Sequence, residues 1–171
     1  MAGPDFDVRE AVDTDILLIE ECYLRSWRAA YGGFLDTDVL AVEAEKRRSF
    51  DWRRGITAPT SVVLIAVGST GQVVGVVQAD EDLPAPRDLP EITMLYVDPD
   101  AWGSPVAAAL LRAAETWMAS RSHGSARLRV VEEHHRARRF YEREGWSLDP
   151  DLEPVRNDFG RLLYYRRSLD E

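Results

Sequence analysis

Cysteine, histidine and positive charge are scarce in this chain: of 171 residues one is Cys and three are His, and acids exceed bases enough to leave a net charge of −9. A lone Cys22 permits no internal disulfide and no cysteine-built metal site, and its place in an apolar helical stripe reads as buried filler. No stretch approaches the ~18 consecutive apolar residues of a membrane-spanning helix. The opening MAGPDFD has neither a basic start nor an apolar run, so a soluble, cytoplasmic protein is expected. The acidic balance argues against nucleic acid or an anionic membrane as the main partner. It suits a cationic substrate such as an amine, and equally it suits nothing more than solubility. His134 and His135 are adjacent and point apart, and no third ligand is spaced to join them, so no metal is expected. Repeats, low-complexity tracts and composition breaks are missing too. A chain of this length at 45% hydrophobic suits one domain, residues 1–171, burying roughly two-thirds of its unfolded surface.

What the chain does have is an organising run at 91–111, EITMLYVDPDAWGSPVAAALL. Residues 92–97 are apolar on both alternating faces apart from Thr93, which predicts a central strand covered on both sides. Asp98-Pro99-Asp100 ends it. Ser104 is placed to cap a helix whose first residue, Pro105, loses nothing by lacking an N–H. The donors left over are the N–H groups of Val106, Ala107 and Ala108, among side chains small enough to admit a phosphate to the backbone. Two readings stand: an ordinary capped helix, or a phosphate cradle at a helix start.

Upstream, residues 6–12 read as a strand, and Asp13 or Thr14 as the cap of a helix with Ile16, Ile19, Tyr23, Trp27 and Ala30 in one buried stripe. Gly32-Gly33 stops it. Residues 42–54 read as a second, more exposed amphipathic helix with Arg47, Arg48, Arg53 and Arg54 on its solvated face. The β-branched runs 61–67 and 72–78 around Gly-Ser-Thr-Gly predict a hairpin, and the proline-rich 80–90 a loop. Beyond the organising strand, Val106, Leu110, Ala113 and Trp117 form the inward stripe of a helix ending by His123-Gly124. Residues 126–131 are a fifth strand, and 135–144 a short helix with Ala137, Phe140 and Tyr141 on one face, closed by Gly145. Residues 149–159 read as irregular and Gly160–Ser168 as a last strand.

Three blocks carry a family resemblance. The window Trp102-Gly103-Ser104-Pro105-Val106-Ala107 stands where GCN5-related N-acetyltransferases (the GNAT superfamily) have a strand-end turn and a [Q/R]-x-x-G-x-[G/A] loop. Ala107 fits, while Trp102 replaces Gln or Arg and Pro105 the central Gly. The run RVVEEHHRARRFYEREGW at 129–146 resembles N-x-R-A-x-x-F-Y-E-x-x-G-F more closely. Arg136, Ala137, Phe140, Tyr141, Glu142 and Gly145 match, with His134 for Asn and Trp146 for Phe. SWRAAYGGFLDTDVL at 26–40 is similar to SWRAAYxGLxPxxxL of one acetyltransferase subgroup.

The resemblance implies an α/β (α+β) fold, a mixed, largely antiparallel sheet of six to seven strands flanked by helices. It implies an acetyl-CoA-dependent N-acetyltransferase that passes an acetyl group to a primary amine by direct attack in a ternary complex, with no metal and no covalent enzyme intermediate. Tyr141 would then be the acid that protonates the thiolate leaving group, or simply a packed ring beside Phe140. Glu91 would be the base, directly or through water, or an exposed strand-start carboxylate. Leu95, Tyr96 and Val97 would face the coenzyme, with an N–H of Tyr96 or Val97 meeting the oxyanion. Gly103, Ser104, Val106, Ala107 and Ala108 would hold its pyrophosphate. His134, Arg136 and Arg139 would add contacts, although a solvated helix with pairs such as Arg138 to Glu142 explains the arginines equally well. Trp27, Tyr31 and Phe34 would border the acceptor pocket, or pack a helix corner. The expected partner is a small-molecule or peptide amine, with monomer and homodimer both open. The rivals are a catalytically silent CoA-binding or protein-interaction module and a structural protein binding no coenzyme.

Overall fold

A computed structural model describes residues 5–84 and 89–170. Its strands are β1 (Phe6–Glu10), β2 (Ser61–Gly68), β3 (Val73–Asp80), β4 (Glu91–Val97), β5 (Ser125–Val131), β6 (Ser147–Leu148), β7 (Val155–Asn157) and β8 (Gly160–Ser168). Its helices are α1 (Ile16–Tyr31), α2 (Thr37–Arg47), α3 (Trp52–Thr57), α4 (Val106–Ser120) and α5 (His135–Arg143). The strands make one sheet in the order β1-β2-β3-β4-β5-β8-β6, with β7 also paired to β8. All pairs are antiparallel except β4 with β5. The mixed, mostly antiparallel character is as expected, but the described residues form eight strands rather than six or seven.

The sheet separates two apolar layers because successive strand residues face opposite ways. Val62, Leu64 and Ala66 of β2 join Val106, Leu110, Leu111, Ala114 and Met118 of α4 on one face. Val63 and Ile65 join Ile19, Cys22, Tyr23 of α1 and Trp52 of α3 on the other. β4 serves both layers, sending Ile92, Leu95 and Val97 toward α4 and Met94 and Tyr96 toward α1. Gly75 lets α4 come close to the sheet, since a Cβ there would lie 2.7 Å from Leu110 Cδ1 and 2.9 Å from Val106 Cγ1.

Several local expectations give way. The single helix read over 42–54 is two, because the Asp51 side chain accepts a bond from Arg54 N at 3.0 Å and starts α3 afresh. The inward stripe of α4 runs through Leu110, Ala114 and Met118, with Ala113 and Trp117 only half-buried, a slip invited by alanines on every side. Neither Asp13 nor Thr14 caps α1. Asp15 closes that turn, accepting from Val12 N at 2.9 Å and pairing with Arg9 at 2.8 Å. β7 lies inside the stretch read as irregular, while residues 85–88 of the proline-rich loop fall outside the described residues. Among the described residues no helix is long and apolar enough to cross a membrane.

Candidate active site

The chemistry gathers where β4 and β5 part. These parallel strands pair at Glu91 with Arg127 and Ile92 with Leu128, while their outer partners β3 and β8 follow them much further. From Thr93 onward a gap opens. Glu91 sits at its root, 2% exposed, and Arg127 Nε donates to Oε2 at 2.7 Å while Arg129 Nε donates to Oε1 at 2.8 Å. Both oxygens of the expected base are thus engaged by cations, one of which is equally buried. That arrangement suits a clamp joining the strands at the point from which they diverge, and the expected exposed carboxylate is not seen.

The inner edge of β4 supplies main-chain groups to the gap. Asp98 N donates to Val74 O at 2.9 Å, which makes those two residues a hydrogen-bonded pair of the β3–β4 ladder. Antiparallel alternation then turns the groups of Tyr96 toward β3 and those of Leu95 and Val97 away from it, into the gap. Val97 O is taken by Trp102, whose Nε1 donates to it at 2.9 Å. This bond fixes the indole at the mouth of the gap. Arg136 then lays its guanidinium over that ring, 3.6 Å from the centroid, so the end of β4 and the start of α5 are bridged by a cation–π contact.

Beside this bridge is the start of α4. The helix begins at Val106, one residue later than read, with Pro105 in the capping position. Ser104 is a weak cap: its Oγ donates to Ala101 O at 2.6 Å, and Val106 N reaches that oxygen only at 3.4 Å. The first helical bond is Ala109 N to Pro105 O at 2.9 Å, so the N–H groups of Ala107 and Ala108 lie ahead of it. Gly103 has φ +83°, a conformation that favours glycine, and a Cβ placed on it would meet nothing within 4 Å. These features leave an open cradle of donors at the mouth of the gap. Arg139 is exposed on α5, and Arg138 turns away to Tyr165 Oη at 3.2 Å and Glu132 O at 3.1 Å rather than pairing with Glu142.

Tyr141 enters from the α4 side, its ring against Phe140 at 5.3 Å and Trp146 at 6.4 Å. Burial, and then the nearby Tyr31 phenol, push its pKa well above that of a free tyrosine, so it holds its proton at neutral pH. Tyr141 packs against the α4-side layer, and the Tyr31 phenol of α1 is near enough to act on it electrostatically. On the α1 side, Tyr31, Phe34, His134 and Phe159 close an aromatic recess, with Tyr31 5.7 Å from His134 and from Phe159, and Phe34 5.6 Å from His134. Trp27 lies beneath, 0% exposed and stacked on Tyr31 at 5.2 Å, so it forms the floor and not the lining. His134 is kept neutral, first by burial and then by Arg136 and His135, which lower its pKa. Two members were not foreseen: Phe159, in the stretch read as irregular, and Arg47, read as solvated but packed 4.3 Å from the Trp27 ring centre and 4.9 Å from that of Phe159. Cys22 is remote and its thiol is pushed up to about 11 by burial, which leaves it inert.

Among the described residues no group of three or more His, Cys, Asp and Glu could hold a metal ion. A cavity of about 780 Å³ lies on the outer side of α1, against Leu17, Glu20, Arg25 and Pro99, and contains none of the residues above.

The acetyltransferase (GNAT) family model matches residues 20–146. The chain belongs to the GNAT family. Solved structures agree on the fold. The GNAT chain superposes with TM-score 0.79 and 18% identity on the PaiA N-acetyltransferase of Thermoplasma acidophilum in complex with coenzyme A, covering 95% of this chain and 98% of that one. It superposes with TM-score 0.70 and 19% identity on yncA of Salmonella typhimurium, with its cofactor acetyl-CoA, covering 98% and 95%. A GCN5-related N-acetyltransferase of Kribbella flavida gives TM-score 0.70 and 20% identity over 96% and 98%. No curated protein sequence matches this GNAT chain.

Proposed function

We propose that the chain transfers the acetyl group of acetyl-CoA to a primary amine by direct attack, with both substrates bound together. The observation that supports this most is the parting of β4 and β5 between Tyr141, packed on the α4-side layer, and an aromatic recess on the α1 side. The cradle fits the coenzyme's pyrophosphate, because the free N–H groups of Ala107 and Ala108 and the open Gly103 meet an anion without a side chain intervening. Arg136, parked on Trp102, supplies at that loop the positive charge that Trp102 lacks. Similar folds solved with coenzyme A and acetyl-CoA support the same use of the gap.

Acetyl-CoA bound there supplies an activated acyl group as a thioester. The chain's own residues then have separate tasks. The Val97 N–H, facing the gap, polarises the acyl oxygen, a role that Tyr96 N–H gives up by pairing with β3. Tyr141 Oη holds a proton available to a departing thiolate. With Glu91 committed to Arg127 and Arg129, His134 takes over as proton acceptor, since a neutral imidazole at the recess can relieve an ammonium of its proton. Calorimetric titration with acetyl-CoA tests the reading. Saturable binding that is weakened in Arg136→Ala is expected, and no binding to the wild-type chain would end it. Binding without turnover on any amine would favour the silent module.

A further inference from the structure

Arg47 is a cation in the wrong place for a solvated helix face. Its side chain is 19% exposed and lies at the back of the aromatic recess against Trp27 and Phe159. Its Nη1 donates to Glu43 O at 3.0 Å and to Glu43 Oε2 at 3.1 Å. Its Nε is buried and has no partner among the described residues. Glu43 is not free to neutralise it fully, because Lys46 Nζ donates to Glu43 Oε1 at 2.5 Å. Two cations therefore share one carboxylate, and one of them is sheltered from water among aromatic rings. A buried guanidinium with an unused N–H is costly unless an anion completes it, and its planar fork matches a carboxylate. Burial raises the pKa of the Tyr23, Tyr31 and Tyr96 phenols, and the Arg47 charge opposes that rise.

We propose that Arg47 selects acceptors that carry a carboxylate near the amine, as free amino acids do, and disfavours polyamines. The proposal rests on the acetyltransferase reading for the location of the acceptor. In it the carboxylate meets Arg47 at the back of the recess, Tyr31 and Phe34 flank the side chain, and the amine is left near His134 and the gap. The local cation overrides the acidic surface, because solvent and salt screen the distant charges over roughly 8–10 Å whereas the Arg47 side chain is largely sheltered.

The test compares free amino acids with their amides and with linear diamines and polyamines as acceptors in a thiol-release assay. Wild-type kcat/KM should favour the carboxylate members by at least about tenfold, the value of one charge-assisted hydrogen bond. Arg47→Gln should abolish that ratio mainly through KM, and Arg47→Lys should restore part of it. A wild-type preference for polyamines or amides would overturn the proposal. So would an Arg47→Gln variant, folded by thermal melting, that loses all acceptors equally, which is the signature of a packing role. Calorimetric titration with an N-acetylated amino acid against the matching amide gives the same comparison without turnover. No discrimination there would reject Arg47 as a selector, whereas failure of acetyl-CoA to bind rejects the acetyltransferase reading instead.

Discussion

The surroundings of Glu91 and His134 support moving the proposed proton acceptor from the first to the second. A carboxylate whose two oxygens accept from two arginines at 2.7 and 2.8 Å is placed to tie strands together. Glu91→Gln is therefore expected to cost on the order of 3 kcal/mol of stability, as loss of one partner from a buried ion pair does, read as a lower midpoint in denaturant. It should leave the acidic limb of the pH dependence of kcat/KM in place. His134→Gln should do the reverse. Burial, Arg136 and His135 hold the His134 imidazole below its free value of 6.5, so activity should fall as the pH drops through that lowered pKa, and the limb should vanish in the variant. Loss of the limb in Glu91→Gln with unchanged stability would reverse the assignment. None of this was visible in the sequence, because a strand-start glutamate carries no mark of cations brought beside it from another strand by the β4–β5 pairing.

Between elements, the end of β3 is tied to the end of α4 by Glu81, which accepts from Arg121 and lies 2.8 Å from His123 Nε2, while Arg121 also packs on Trp117. The Arg121 hydrogen bond, reinforced by His123 and opposed by burial, lowers the Glu81 pKa from 4.5 to about 2. A carboxylate with a depressed folded pKa adds stability above its unfolded pKa and loses it as the pH falls through the folded one. The melting-temperature gap between wild type and Glu81→Gln should thus be widest above about pH 4.5 and close toward pH 2. A gap independent of pH would show that the tie is not electrostatic. At this scale much was legible. β4, apolar on alternate faces, and β8, bounded by Gly160, fall where periodicity puts them, as does α1. The α2–α3 break was missed because the Asp51 cap sits inside a run whose charges keep a helical rhythm. β7 was missed because three exposed residues on a sheet edge have no apolar pattern to declare them. Arg47 was misread for the same reason as the break, since charge periodicity cannot tell a solvated arginine from one that folds back over an indole.

The whole molecule carries a net charge of −9, yet the site proposed for an anionic coenzyme has free helix-start donors with Arg136 near them. The sheet is covered on both faces, and its two central strands part between Tyr141 on the α4 side and Tyr31 on the α1 side. Motif spacing in the sequence picked out residues that meet at the mouth of the gap, because they lie on one strand, one helix start and one short helix. The proposed acceptor half draws Tyr31, Arg47, His134 and Phe159 from separate parts of the chain, and their meeting follows from the topology alone. The central claim is that a proton on Tyr141 accompanies acetyl transfer to an amine across this gap. It is tested most directly by amine-dependent thiol release from acetyl-CoA in the wild type and in Tyr141→Phe, which keeps the ring and deletes the hydroxyl. The expected result is release that requires an amine and falls at least about tenfold in the variant while coenzyme affinity stays within about twofold. Equal rates in the two proteins, or coenzyme binding with no amine-dependent release from the wild type, would contradict it.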